Sequence, residues 1–283
     1  MLAYRHAFHA GNHADVLKHT VFVAVLRYMA LKDKGFRLID THAGAGGYSL
    51  ESRYAEQSGE AEGGIGRLWA RDELPPAVAD YVALVRQFNA DGALKQYPGS
   101  PALAQLLLRP QDQMRLHELH PTDHKILHSF LGEQPGVEVA MSDGFAALKS
   151  HLPPPTRRGV LLIDPSYEIK TDYARVLAAL REALTKFPES VVIIWLPQLR
   201  LLEAASLPQR LKATVDTQGK KGWLLAQLTV GSTDEKGFGM FGSTVFVANP
   251  PHTLRAALQP ALPWLAEALG GQAGTHKLES RGG

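Results

Sequence analysis

Residues 36–48 read FRLIDTHAGAGGY. Phe36, Leu38 and Ile39 make a short apolar strand, Asp40 stands at its end, and Gly44, Gly46 and Gly47 crowd the turn that follows. Strand, acid and glycine-dense turn, in that order, are how an open α/β sheet presents its first βα loop to a nucleotide-like ligand. Small residues let the backbone approach the ligand, and glycine accepts the tight turn. A second stretch answers the first: residues 158–167 read RGVLLIDPSY. Here an apolar strand over 160–163 runs into Asp164-Pro165-Ser166-Tyr167.

Working outward, residues 12–32 carry apolar side chains at helical spacing, with Asn12 placed to cap the helix. The pattern predicts strands at 36–41, 114–118, 137–141, 159–164, 190–196, 222–230 and 243–248. It predicts helices at 100–109, 121–131, 143–150, 171–186, 199–213 and 252–269. Helices separate the early strands, which implies parallel pairing with right-handed crossovers. The last two strands lack a helix between them and read as an antiparallel hairpin at the sheet edge. The expected fold is therefore α/β: a mostly parallel, seven-stranded, Rossmann-like sheet with an antiparallel terminal hairpin. The polar tail 271–283 reads as a frayed end.

One spacing departs from a plain Rossmann unit, where a ribose-binding acid follows the glycine loop by about 20 residues. The next convincing strand here, MRLHELH, ends near Glu118. Residues 49–97 contain helical patches and no strong strand. They read as a small helical insertion after the first strand, interrupting a main domain of 1–48 and 98–283. Ser100-Pro101, a cap followed by proline at the first helical position, restarts the main fold.

Composition excludes several classes. With no cysteine, the chain has no disulfide framework, thiolate metal site or cysteine nucleophile. No run of about 18 apolar residues occurs, so no membrane span is expected. The N-terminus lacks the apolar core of a secretory signal, and a cytoplasmic protein is expected. A net charge of +2 is compatible with nucleic acid without requiring it; a local basic patch would matter more than the total. The pairs Arg157-Arg158 and Lys220-Lys221 precede strands and read as solvated surface.

The strand ends carry the candidate chemistry. Asp40, His42 and Gly44 form a cofactor loop or a glycine-rich turn. Glu118 is a ribose-binding acid or a solvated strand-end charge. Asp143-Gly144 caps a helix and, lying at the same sheet edge, faces the cofactor's adenine. Asp164 ends a strongly apolar strand, where an acid costs desolvation energy unless it has a role or partners. Beside it, Pro165 offers a carbonyl and Tyr167 a flat face for a base. Such a set would grip an exocyclic amine, which implies methylation of an amino group from S-adenosyl-L-methionine. Lys18 and His19 would meet the cofactor's carboxylate. The N-terminal Tyr4, Arg5, His6 and His9 cluster aromatic and basic groups suited to RNA. His9 with His13, and His117 with His120, lack the pattern of a metal site, and no metal is expected.

The opening YRHAFHAGNHADVLKH, then DTHAGAGGY, YPGSP, ELHP, SDGF, RRGVLLIDPSYEIKTDY and the late NPP together resemble the bacterial 23S ribosomal RNA adenine-N6 methyltransferase family of the RlmJ type. The resemblance runs in order from Met1 to about Leu265. It implies a class I methyltransferase fold and N6 methylation of one adenine in naked 23S ribosomal RNA; a monomer is expected. It further implies cofactor contacts at Lys18, His19, His42, Ser100, Glu118, Asp143 and Gly144, catalysis by Asp164, and a substrate contact at Tyr4. One departure stands out: the family's Asp-Pro-Pro-Tyr has Ser166 at its third place here. Two other readings remain open from the residues, a DNA adenine-N6 methyltransferase and a catalytically dead RNA-binding protein of the same fold.

Overall fold

β1 (Arg37–Asp40) is buried along its whole length because it pairs on both sides, with β4 (Gln113–His117) and β6 (Gly159–Ile163). The computed structural model describes residues 6–52, 55, 58–231 and 239–282. β5 (Val137–Ala140) flanks β4, and β7 (Val191–Gln198) flanks β6, all in parallel. Crossovers run through α6 (Pro121–Leu131), α7 (Gly144–His151) and α8 (Thr171–Lys186), and α9 (Leu202–Gln218) follows β7. The antiparallel pair β8 (Trp223–Thr229) and β9 (Gly242–Ala248) then joins the sheet through β9 on β7.

Residues 275–281 correct the expectation of a frayed tail. They form an eighth strand, β10 (Thr275–Arg281), antiparallel to β8, and the sheet order is β10-β8-β9-β7-β6-β1-β4-β5. The sequence THKLESR gave no apolar alternation because an edge strand needs little. It pairs through its backbone, and charged residues on an edge discourage pairing with other chains. Leu278 alone packs on the core, while Arg281 pairs with Asp216 of α9 at 2.7 Å and Lys212 of α9 pairs with Glu279.

α1 (His13–Ala30) starts where Asn12 Oδ1 accepts the N–H groups of Ala14 and Asp15, at 2.9 and 3.0 Å. It lies between the sheet, at β9, and two further helices: α4 (Pro76–Phe88) and α10 (Leu254–Gly270). A helix covered on several sides buries its polar residues with its apolar ones. Asp15, Lys18 and His19 are all under 5% exposed for this reason. The segment after β1 contains a two-stranded pair, β2 (Gly47–Ser49) with β3 (Gln96–Pro98), that ties its ends together. Between these lie α2 (Glu60–Gly63), α3 (Gly66–Trp69) and α4, and Val78, Tyr81, Val82 and Val85 of α4 share one apolar cluster with α1. α5 (Ser100–Gln105) leads back to β4.

Removing residues 275–283 would strip the backbone ladder from β8 and leave a long apolar strand as the sheet edge. The expected result is a melting midpoint lowered by more than about 2 °C and aggregation that grows with protein concentration, read by calorimetry and light scattering. An unchanged midpoint would mean that β10 contributes nothing to the edge.

Candidate active site

The carboxyl ends of β1, β4 and β6 open into one cleft. The turn after β1 supplies Thr41, His42 and Gly44; the residues after β4 supply Glu118 and Leu119; those after β6 supply Asp164, Pro165 and Ser166. Lys18 and His19 enter from α1, Ser100 from the start of α5, Gly144 from the start of α7 and Arg175 from α8.

Strand register decides which acids reach the cleft. Asp40 pairs across with Leu116 and Leu162, so Glu118 and Asp164 each lie two residues further along. At about 3.3 Å per residue, that carries them roughly 7 Å beyond Asp40. Glu118 and Asp164 stand in the cleft, whereas Asp40 is 0% exposed beneath it. Asp40 accepts the Ser100 hydroxyl at 2.6 Å and the His42 N–H at 3.2 Å, so its part is to hold two cleft residues in place. Burial pushes its pKa up to about 7, and the nearby Asp164 adds to the effect against the two hydrogen bonds.

Lys18 is the electrostatic centre. Its ammonium donates to Asp164 Oδ2 at 2.5 Å and lies 2.8 Å from Asp15 Oδ1. Burial works against its charge, but the two carboxylates outweigh burial and raise its pKa. Asp15 also takes the Gly11 N–H and His6 Nε2, each at 2.9 Å. Burial opposes its ionisation too, yet His6 and Lys18 hold it well below the usual carboxylate range. One oxygen of Asp164 is thus committed to Lys18, and Asp164 lines the cleft.

Next to Lys18, His19 is driven to a pKa of about 3 by burial, with the Lys18 cation adding to it, so its ring is neutral. Its Nδ1 lies 2.7 Å from the Tyr97 hydroxyl, which is 2.9 Å from that of Tyr81. Run in the donating direction from Tyr81, this chain leaves the proton on His19 Nε2, a buried atom with no partner among the described residues. Glu118 accepts Gly44 N–H on Oε2 at 2.8 Å and His120 N–H on Oε1 at 2.6 Å. Burial raises its pKa, against those two bonds.

Several other residues singled out in the sequence lie elsewhere. The Asp143 carboxylate caps α7 through Phe145 N–H at 3.0 Å and pairs with Arg175, while its neighbour Gly144 lines the cleft. Gly144 packs so closely that a Cβ would come 2.1 Å from the Thr41 carbonyl oxygen. Tyr167 turns away: it is 6% exposed, its ring packs on Tyr173 and Trp195, and its hydroxyl donates to the Trp195 carbonyl at 2.7 Å. His9 lies 2.9 Å from Glu60, outside the cleft, while His6 lines it. Tyr4 and Arg5 lie outside the described residues. Sequence reasoning missed Asp15 and Arg175. The spacing of Asp15 and Lys18, three apart on one helix, was a readable signal; Arg175 has none, since its meeting with Asp143 is made by the fold.

Comparison with known proteins agrees over most of the chain. The family model described as "Ribosomal RNA large subunit methyltransferase D, RlmJ" matches residues 33–281. The Escherichia coli protein named "Ribosomal RNA large subunit methyltransferase J" is 44% identical over 269 residues, spanning 95% of this chain and 94% of the relative. A Haemophilus influenzae protein of the same name is 42% identical, again over 95% and 94%. The crystal structure of Legionella pneumophila protein LPL1258 superposes with a TM-score of 0.87 at 31% identity, covering 96% of this chain and 98% of that one.

The buried Asp40 should make stability depend on pH. Its folded pKa is raised from the ordinary 3.8 to about 7, so its contribution is complete below 3.8 and is lost as pH rises through 7. A difference of that size is worth on the order of 4 kcal/mol. Asp40→Asn, which cannot ionise, should gain stability on the wild type between pH 5 and pH 8. Urea unfolding at the two values reads this directly, and a constant difference would show that Asp40 ionises freely.

Proposed function

Because the chain belongs to the RlmJ family of ribosomal RNA large subunit methyltransferases, we propose that it methylates the N6 amine of an adenine in naked 23S ribosomal RNA, using S-adenosylmethionine. The observation that carries this reading is Asp164. It ends a buried strand, opens onto the cleft, and has one oxygen held by Lys18 and the other left over. Ribosomal RNA as substrate puts this work in the cytoplasm.

The residues of the cleft fit the cofactor. Each Glu118 oxygen spends one acceptor position on a backbone N–H, and the carboxylate retains capacity for a pair of ribose hydroxyls. His19 Nε2 is a buried polar atom with no partner among the described residues, and in the tautomer that carries the proton there it would donate to a carboxylate. Leu119 and Ile169 are apolar yet 45% and 51% exposed at the cleft, and they offer surface to flat rings. When bound, S-adenosylmethionine supplies an electrophilic sulfonium methyl.

The protein's own part is positioning. An adenine N6 lone pair is delocalised into the ring and is a poor nucleophile. Asp164 Oδ1 and the Pro165 carbonyl each accept one amine N–H, which draws the nitrogen toward tetrahedral geometry and aims its lone pair across the cleft. Orientation and fixed charge supply most of the rate. Lys18 keeps Asp164 from turning. The base must leave its stack to enter. Tyr167 serves this turn from beneath: it sits at φ 55, unusual for a bulky side chain, and is held there by Trp195. Backbone strain at such a place is a common companion of function. Ser166 lines the cleft where the family has proline, so the turn owes its shape to Tyr167 and Pro165.

The test is tritiated methyl transfer to naked 23S RNA from a strain lacking this protein, beside duplex DNA. Label in RNA at adenine N6 is the expected result; label in DNA alone would overturn it. Asp164→Ala should lower single-turnover transfer by about 10²-fold or more with cofactor affinity nearly kept. Asp164→Asn has one oxygen for two donors, Lys18 and the amine, so it should recover only part of the rate. Wild-type transfer by Asp164→Ala would remove Asp164 from the site. Glu118→Ala, by contrast, should weaken cofactor binding roughly ten- to a hundredfold in calorimetry, and unchanged affinity would take Glu118 off the ribose.

A further inference from the structure

The two basic pairs that read as solvated surface in the sequence meet in the folded chain. Arg157 and Arg158 precede β6, Lys220 and Lys221 precede β8, and both pairs join Lys32 and Lys34, which precede β1, around one groove of about 820 Å³. These strands run the same way in the sheet, so the groove lies at the amino edge, opposite the cleft. Lys32, Lys34, Arg157, Lys220 and Lys221 are exposed, and none of the six cations forms an ion pair among the described residues. Glu189 is the acid among the described lining residues, with Asp33 between the two lysines in sequence.

This frame is built. Asn249, 1% exposed and at φ 51, accepts the N–H groups of Lys220 and Lys221 at 2.8 and 2.9 Å and donates to the carbonyls of Pro188 and Ser190, both at 2.8 Å. One buried amide thus fixes the turn that carries two of the lysines. On the other wall, the Arg158 guanidinium donates to the carbonyls of Lys34 and Met29, fixing the turn that carries Lys34. Burial lowers the Arg158 pKa and the neighbouring Arg109 cation adds to the effect, against Asp112 and Tyr28. Tyr28 and His252 stand together on the rim, rings 5.3 Å apart and edge to face.

We propose that this amino-edge groove is a second RNA-binding surface, which holds the phosphate backbone of a single-stranded segment of the substrate away from the target adenine. The pre-set turns hold lysines at fixed spacing for phosphates, while Tyr28 and His252 give bases a stacking platform, the pairing that single-stranded nucleic acid calls for. A free phosphate ion would use the cations but not the rings. The surface lies more than about 16 Å from the cleft, the length of the five residues of β6 at about 3.3 Å each. A short oligonucleotide with only the adenine and its neighbours would not reach it. The identity of the polyanion rests on the ribosomal RNA reading above.

The test replaces Lys32, Lys34, Lys220 and Lys221 together by glutamine, leaving Arg158 and the cleft untouched. Binding of a long 23S RNA fragment and of a short target oligonucleotide is read by fluorescence anisotropy across a salt series, apart from methyl transfer. The variant should bind the long RNA at least about tenfold more weakly, with the slope of log affinity against log salt reduced by about 2–3. It should bind the short oligonucleotide and the cofactor as the wild type does, and melt at the same temperature. Arginine at all four places should restore the affinity. Unchanged affinity for the long RNA, or equal loss for both RNAs, would overturn the inference. So would unchanged RNA binding with lost binding to phosphatidylglycerol vesicles, which would assign the face to a membrane surface. Because binding is measured without transfer, a wild type that binds but does not methylate RNA would defeat the ribosomal reading alone.

Discussion

The cleft depends on a buried ion chain, Asp15–Lys18–Asp164. Three charges with little access to water persist only because each is met by another or by a backbone N–H. The chain ties the middle of α1 to the end of β6, two parts of the molecule that are 146 residues apart in sequence. Removing Lys18 would leave two carboxylates without their common cation, a loss of about 3–5 kcal/mol in comparable buried pairs. It also sets the electrostatics around it. Asp40 therefore meets a second obstacle to ionisation in Asp164, and the proton stays off His19 beside the Lys18 cation.

How much of this was legible in the sequence follows from what each signal encodes. Strand ends were readable because an apolar run broken by an acid is a local pattern, and Glu118 and Asp164 were found that way. The difference between them and Asp40 was not readable, since it is a matter of register between strands: Asp40 stays level with Leu116 and Leu162 and is sealed in. The ring of Tyr167 looked like a stacking face because the local sequence shows only that it follows a proline turn. Its burial comes from Trp195 and Tyr173, contributed by later elements. β10 escaped for a complementary reason: an edge strand is made by its partner's ladder, and polar residues serve it as well as apolar ones.

The helical segment after β1 follows the same logic. Its helices were visible as apolar periodicity, but their packing was not. α4 buries Tyr81 against α1, and Tyr97 at the end of the segment carries the hydrogen-bond chain from Tyr81 to His19. The segment thereby reaches the cleft through a hydrogen-bonded relay as well as through Tyr48 of β2, which lines it. His9 and Glu60, 2.9 Å apart, join the chain's N-terminal turn to the same segment. The hydrogen bond to Glu60 raises the His9 pKa against the effect of burial. A structural tie and a hydrogen-bond relay thus run through this stretch.

The net charge of +2 conceals a division of labour between the two edges of one sheet. A parallel strand delivers its following residue to one edge and its preceding residue to the other, so each βα unit contributes to both. At the carboxyl edge the following residues are acids and small residues: Asp40, Gly44, Glu118 and Asp164. At the amino edge three strands follow cations, Lys34 before β1, Arg158 before β6 and Lys221 before β8, while Asp112 precedes β4. Summed over the chain these nearly cancel, and the total says little about binding. Separated by the length of a strand, they do not cancel. At an ionic strength near 0.1 M, charges more than about 10 Å apart are largely screened from one another. A negatively charged backbone would therefore meet the amino edge as a positive surface in its own right, and the acids of the cleft would do little to weaken it.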